Sequence, residues 1–284
     1  MAPLMLGLMA PLRGEPERCV EAVAGLGIPS CQVGISADEP LSDELAGRLR
    51  RAAEGRVTIT TIWTHCRGGQ VWNFVDGPET IGLVPAATRA AGVARLKAGA
   101  DFARAAGVGS ITTHAGFIPE NPGDPTFQAV VAALRDVCEH CLAGGLELWL
   151  ETGQETPVTL LRTIEEVGAD GAAPIGRVTF PARNDLGVNL DPANLLEHGF
   201  DPYDSARALQ GHILHTQAKD VRTCSSSRAA QEVPLGHGDI DWVRYLGALG
   251  EVGYRGWLTV ARESGVNRRS DVAEGVAFLR RLVG

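Results

Sequence analysis

An eight-stranded (β/α)8 barrel, the TIM barrel of the α/β class, is the fold this sequence predicts, and three observations predict it. Eight short apolar runs alternate with eight longer stretches of helical period, the pattern of repeated βα units. The punctuation agrees: Asp124-Pro125 and Asp201-Pro202 stand before helical stretches, while Gly55, Gly107, Gly144 and Gly211 lie between a helix and the next strand. A length of 284 residues with 44% apolar content suits one large domain over 1–284, since such barrels commonly take about 250 residues.

The elements follow in order. The first strand, near 4–9, is the apolar start of the chain, and a helix near 15–26 follows it. The strand near 31–35 leads to a helix near 42–54, ended by Gly55. The strand near 57–65 leads to a helix near 85–106, ended by Gly107. The strand near 110–115 leads to a helix near 124–143, opened by Asp124-Pro125 and closed by Gly144. The strand near 146–151 precedes a helix near 155–168. The strand near 186–191 precedes a helix near 201–210, with Asp201-Pro202 before it and Gly211 after. The last two units pair strands near 212–218 and 256–262 with helices near 241–251 and 270–282.

Composition narrows the function classes. A formal charge of −8 and a pI near 5.4 disfavour a phosphate-backbone partner, and the basic residues are scattered rather than gathered in a patch. No nucleic-acid partner is expected. No run of about 18 uncharged apolar residues occurs, and the N-terminal Met1-Ala-Pro-Leu-Met-Leu-Gly-Leu-Met is too short for a span and lacks a basic start. A soluble, cytoplasmic protein without a membrane partner is the expectation. Cysteines at 19, 31, 66, 138, 141 and 224 read as reduced thiols. Cys138-Glu-His-Cys141 has a zinc-like spacing without a second pair, and reads as one helix face.

Four segments carry the chemistry: Glu151-Thr-Gly-Gln-Glu155, Asn189-Leu-Asp-Pro-Ala-Asn194, His215-Thr-Gln-Ala-Lys-Asp220 and Leu258-Thr-Val-Ala-Arg-Glu263. Each follows or ends an apolar run. In a (β/α)8 barrel, polar groups at the C-terminal ends of the strands converge on one mouth, where active sites lie.

These segments resemble the xylose-isomerase-like TIM barrel superfamily, in its sugar phosphate isomerase/epimerase branch, where the matching stretches read approximately ETGQET, NxDPAN, HTHAKD and LTIERE. The resemblance spans almost the whole chain. It implies one divalent metal (Mn2+, Mg2+ or Zn2+) held by a Glu, an Asp, a His and a second Glu. Glu151 and Asp191 match two of these positions. Gln217 stands where the His would be and Ala261 where the second Glu would be. Two oxygen ligands are few for ions that take about four to six donors, so the implied metal is expected to be weakly held or absent.

The resemblance implies proton removal alpha to a carbonyl and its return, which needs a carboxylate base, a second acid or base, and a cation for the enediolate oxygen. Glu151 is then a base as well as a ligand. Strand side chains alternate, so His215 points the same way as Gln217, and Glu263 the same way as Ala261. Each is displaced by about 6.6 Å along its strand. Glu263 is the second catalytic candidate, and His237, on the Val233-Pro-Leu-Gly-His-Gly-Asp-Ile-Asp241 stretch, is a freer replacement ligand. His65 and His114 lie at strand ends, where relatives contact substrate hydroxyls; each also reads as a barrel histidine without such a contact. Lys219 can hold a carboxylate, phosphate or hydroxyl, or pair with an acidic residue, and Asp220 flanks it. Asn184, Asn189, Asn194 and Glu155 are weaker candidates, Glu155 and Asn194 also reading as helix-start and turn residues.

Three loops, 66–84, 116–123 and 221–240, exceed the usual connection length. The first carries Gly68-Gly69, Trp72 and Phe74, an aromatic lid over a sugar face or a patch packed on the rim or on a second subunit. The last carries Ser225-Ser-Ser-Arg228. The substrate-contact set is thus His65, Trp72, His114, His215, Lys219 and His237. Two functions follow: a sugar isomerase/epimerase-like enzyme acting on a keto sugar, polyol or related small molecule, or a catalytically silent barrel that binds such a ligand. A homodimer paired through the long loops is the oligomer the resemblance implies.

Overall fold

The computed structural model describes residues 4–66, 70–168, 186–223 and 230–283. Gly68, Gly69, Asn184, Cys224 and Ser225-Ser-Ser-Arg228 lie outside the described residues.

In chain order the elements are β1 (Met5–Pro11), α1 (Pro16–Ala24), β2 (Ser30–Ile35), α2 (Asp43–Ala53), β3 (Thr58–Thr64), α3 (Arg89–Ala106), β4 (Ser110–Thr113), α4 (Pro125–Ala143), β5 (Glu147–Glu151) and α5 (Pro157–Gly168). They continue with β6 (Leu186–Leu190), α6 (Pro192–Glu197), α7 (Pro202–Ala208), β7 (Ile213–Ala218), β8 (Asp220–Thr223), β9 (Ala230–Val233), α8 (Trp242–Glu251), β10 (Trp257–Val260) and α9 (Arg268–Val283). Eight strands close a barrel in the order β1-β10-β7-β6-β5-β4-β3-β2. All of its pairings are parallel, so the (β/α)8 reading holds.

Local sequence chemistry sets the helix starts. Asp124 accepts from Thr126 N–H at 2.7 Å, Asp201 from Tyr203 N–H at 2.8 Å and Asp241 from Arg244 N–H at 3.0 Å, each cap being worth about 1 kcal/mol. Pro follows the first two caps at the start of the helix. The helices bury one face against the barrel: Phe127, Val130, Leu134, Val137 and Cys141 of α4 are all enclosed. Cys138 and Cys141 share that buried face, as a helix-face reading of the CxxC spacing requires.

Two elements differ from the sequence expectation. The segment after β6 turns at once into α6, because the Asp191 side chain accepts from Ala193 N–H at 2.8 Å and Asn194 N–H at 3.1 Å, with Pro192 in the first helical turn. The 221–240 stretch is more than a loop: β8 and β9 form an antiparallel ribbon that stands over the mouth. Asp220 anchors it, accepting from the N–H groups of Val221, Gly236, Gly238 and Ile240 and from the Trp242 indole at 2.9–3.3 Å. A Cβ on Gly238 would lie 2.1 Å from Asp220 Oδ1, so only glycine lets the turn reach that carboxylate.

Among the described residues no helix is long and apolar enough to cross a membrane.

Candidate functional site

A cavity of about 670 Å³ opens at the C-terminal ends of the strands. Behind the lining residues Trp63, His114 and Asn194 lies Glu151, which ends β5 and is almost fully enclosed at 2% exposure. Five N–H donors converge on this carboxylate. Trp63 Nε1 of β3, Asn189 Nδ2 of β6 (2.8 Å) and Gln217 Nε2 of β7 (3.1 Å) reach Oε2. Asn194 Nδ2 of α6 (3.1 Å) donates to Oε1, and His114 Nε2, after β4, lies 3.3 Å from the same atom. Burial opposes the Glu151 charge, but His114, Lys219 and the Trp63 N–H outweigh it and hold its pKa down at about 2. Burial likewise opposes the His114 imidazolium, yet Glu151 raises its pKa above the ordinary histidine value.

Lys219 forms the second charged pair. Its side chain is only 8% exposed, with Nζ 3.2 Å from Asp191 Oδ2 and 3.4 Å from Glu263 Oε2. Burial works against the ammonium, but Asp191 and Glu263 prevail and hold it well above the ordinary lysine pKa. Burial pushes the Asp191 carboxyl up to about 6 against the pull of Lys219, so the two form an ion pair near pH 7. Glu263 keeps about half of its side chain exposed at the cavity wall.

The ribbon fixes that wall. Glu232 of β9 accepts from Glu263 N–H at 2.9 Å and Ser264 N–H at 2.8 Å. Arg262 bridges Glu232 (3.1 Å) and Asp271 of α9 (2.9 Å). Glu232 and Arg262 escaped sequence reasoning, because the charged pairs that give them a role join β9 and α9 to the segment after β10, about 30 and nine residues away.

The remaining sequence candidates separate by depth. His65 lines the cavity with its ring 4.0 Å from Trp63, and burial lowers its pKa to about 4. Trp72 also lines it, edge-on to His114 at 4.9 Å, whereas Phe74 packs on the rim against Phe117 and His198 at 5.4 and 5.2 Å. His215 points inward as expected but lies deeper than the cavity. It is fully enclosed and stacked on Trp149, its Nδ1 is 2.8 Å from Asn189 Oδ1, and its Nε2 is 3.0 Å from Thr259 Oγ1. Burial lowers its pKa to about 3. The structure therefore places His215 as a neutral strut under Asn189, away from any ligand in the cavity. His237 sits exposed on the turn after β9, outside the cavity lining, because the Asp220 anchor holds that turn by its backbone. Glu155 is buried behind the lining, and burial pushes its pKa up to about 7.

The residues present do not fit a divalent ion. About four acceptor sites on a carboxylate face five donors at Glu151, so an ion would have to displace several of them. Asp191 spends Oδ1 on capping α6, and its Oδ2, which makes no hydrogen bond, faces the Lys219 ammonium at 3.2 Å. Gln217 presents its N–H2 to Glu151 and to Gln32 Oε1, at 2.8 Å from the latter, and Ala261 offers no donor. Among the described residues no group of three or more His, Cys, Asp and Glu side chains is arranged to hold a metal.

Similarity to known proteins agrees with the barrel. A xylose isomerase domain protein of Planctomyces limnophilus is 29% identical, with a TM-score of 0.80 over 99% of this chain and 96% of that one. D-psicose 3-epimerase of Clostridium cellulolyticum H10, crystallised with D-tagatose, superposes with a TM-score of 0.69 at 16% identity over 99% of both chains. A xylose isomerase-like TIM barrel protein of Mycobacterium smegmatis, solved in complex with magnesium, gives 0.66 at 16% identity over 100% of this chain and 97% of that one. No curated protein matches the sequence. The family profile described as xylose isomerase-like TIM barrel matches residues 20–282, and the chain belongs to that family.

Proposed function

We propose that this chain is a sugar isomerase/epimerase-like enzyme that moves a proton next to the carbonyl of a keto sugar or a related polyhydroxylated small molecule, by means of side chains. The observation that carries the reading is the pairing of Lys219 with Glu263 at the cavity wall, 3.4 Å apart. Such a reaction needs a base for the carbon-bound proton and a positive group near the oxygen that becomes anionic. Glu263, half exposed to the cavity, is the available base. Lys219, fixed by Asp191, is the cation beside it, and the His114 imidazole, backed by Glu151, is a second group for the ligand oxygens. Glu151 itself, saturated by donors, orients His114 rather than taking a proton. The wall of Trp63, His65 and Trp72 suits the apolar face of a sugar ring.

The test is solvent exchange. Incubation with D-fructose, D-psicose and D-tagatose in deuterium oxide should place deuterium at the carbon next to the carbonyl, and Glu263→Gln should abolish it. A protein that binds these ketoses and exchanges nothing would instead be a silent ligand-binding barrel. That second reading is favoured by one observation, the complete enclosure of Glu151 by protein donors.

A further inference from the structure

One cavity residue has a role that neither the proposed chemistry nor the fold explains. Gln154 follows β5 and lines the cavity, yet it is only 4% exposed, and neither its Oε1 nor its Nε2 has a hydrogen-bond partner among the described residues. Leaving a buried amide without a partner forfeits the hydrogen bonds it would make to water, so such a side chain calls for a reason. The His114 Nδ1 on the same cavity is also buried without a partner.

The backbone around Gln154 is held firmly. Thr152 N–H donates to Asn189 O at 3.1 Å, and Thr152 Oγ1 accepts from Asp191 N–H at 2.9 Å. Asn194 Nδ2 donates to Thr152 O at 3.2 Å. Gly153 passes so close to α6 that a Cβ there would meet Asn194 Cβ at 3.0 Å. The amide therefore extends from a backbone that Thr152 and Gly153 tie to β6 and α6.

We infer that Gln154 is a specificity-determining residue that reads one hydroxyl group of a polyhydroxylated ligand, donating from Nε2 and accepting at Oε1. This rests on the function proposed above for the ligand class, but not for the reaction. A primary amide carries a donor and an acceptor side by side without charge. An alcohol does the same, so the two satisfy each other both ways, whereas a carboxylate or phosphate oxygen only accepts and would leave Oε1 bare. The desolvation cost already present in the free protein turns into selectivity on binding, because a ligand lacking the hydroxyl leaves the amide unpaired.

Gln154→Met keeps the length of the side chain and removes both polar atoms, and it separates this role from a structural one by two readouts of opposite sign. The ligand-free variant should melt higher than wild type by about 2–4 °C, since it loses an unsatisfied buried group. Its affinity for the ketose that wild type binds best among D-fructose, D-psicose and D-tagatose, measured by titration calorimetry, should fall about tenfold to a hundredfold. One monodeoxy analogue of that ketose should bind wild type and variant equally, which identifies the hydroxyl. A lower melting temperature, an unchanged ketose affinity, or a wild type that binds none of the three ketoses would overturn the inference. Deuterium exchange is scored separately: exchange that persists with unchanged affinity in the variant sinks the Gln154 role alone, and binding without exchange sinks only the proposed reaction.

Discussion

Replacing Lys219 by methionine isolates the charge balance on which the cavity depends. Methionine fills nearly the same volume, so the change removes the ammonium and leaves Asp191 buried beside an apolar chain. At 3.2 Å and an effective dielectric constant near 20, the gross attraction lost is about 5 kcal/mol. Breaking a buried pair from one side costs about 3–5 kcal/mol, because the abandoned charge has no water to return to. Glu263 adds little to that figure, since it is half exposed and exposed pairs contribute about 0–1 kcal/mol. The cost also depends on pH in a definite direction. Asp191 already has its folded pKa raised from 3.8 to about 6, so the folded state holds an extra proton in that window and stability falls as pH rises through it. Without Lys219 the folded pKa moves further up, and the variant should be penalised more at pH 8 than at pH 5. Urea unfolding of wild type, Lys219→Met, Asp191→Asn and the double variant at both pH values measures this. The double variant should recover most of the loss, as it carries no uncompensated charge. A single-variant cost below about 1 kcal/mol at pH 8, or strictly additive effects in the double variant, would refute the reasoning.

Two further outcomes are expected. Asp220→Ala strips the acceptor from four backbone N–H groups of the ribbon and its turn and from the Trp242 indole of α8, which should cost about 3 kcal/mol or more; amide hydrogen exchange at Gly236 and Gly238 should accelerate, and unaltered protection there would count against Asp220 as the anchor. Glu155→Gln should stabilise the protein by about 2–3 kcal/mol at pH 8 and hardly at all at pH 4.5, because burial raises the folded pKa from 4.5 to about 7 and the cost of ionising Glu155 builds up across that interval. An equal effect at both pH values would contradict this assignment.

Periodicity and punctuation in the sequence were enough for the eight barrel strands, since an enclosed parallel strand must be apolar and a capped helix must start with a side-chain acceptor. The same rule was present at Asp191-Pro192 but competed with a different role for Asp191, and α6 went unrecognised; six residues are too few to show a helical period. The β8–β9 ribbon was hidden for a related reason, as its two strands have four residues each and the following turn is held by the Asp220 carboxylate across 16 to 22 positions of chain. Sequence also determined which residues stand at the strand ends, including Gln217 and Ala261 in place of a histidine and a glutamate. Alternation gave the inward direction of both His215 and Gln217, but only barrel closure decided their depth: a two-residue step along β7 puts one under Asn189 and the other against Glu151. The five donors on Glu151 come from β3, β6, β7, α6 and the end of β4, segments up to 88 positions away in the chain. No local pattern encodes such a convergence. It arises because closing the sheet brings those strand ends to one axis, and that same closure leaves Gln154 facing the cavity with an amide the protein itself does not satisfy.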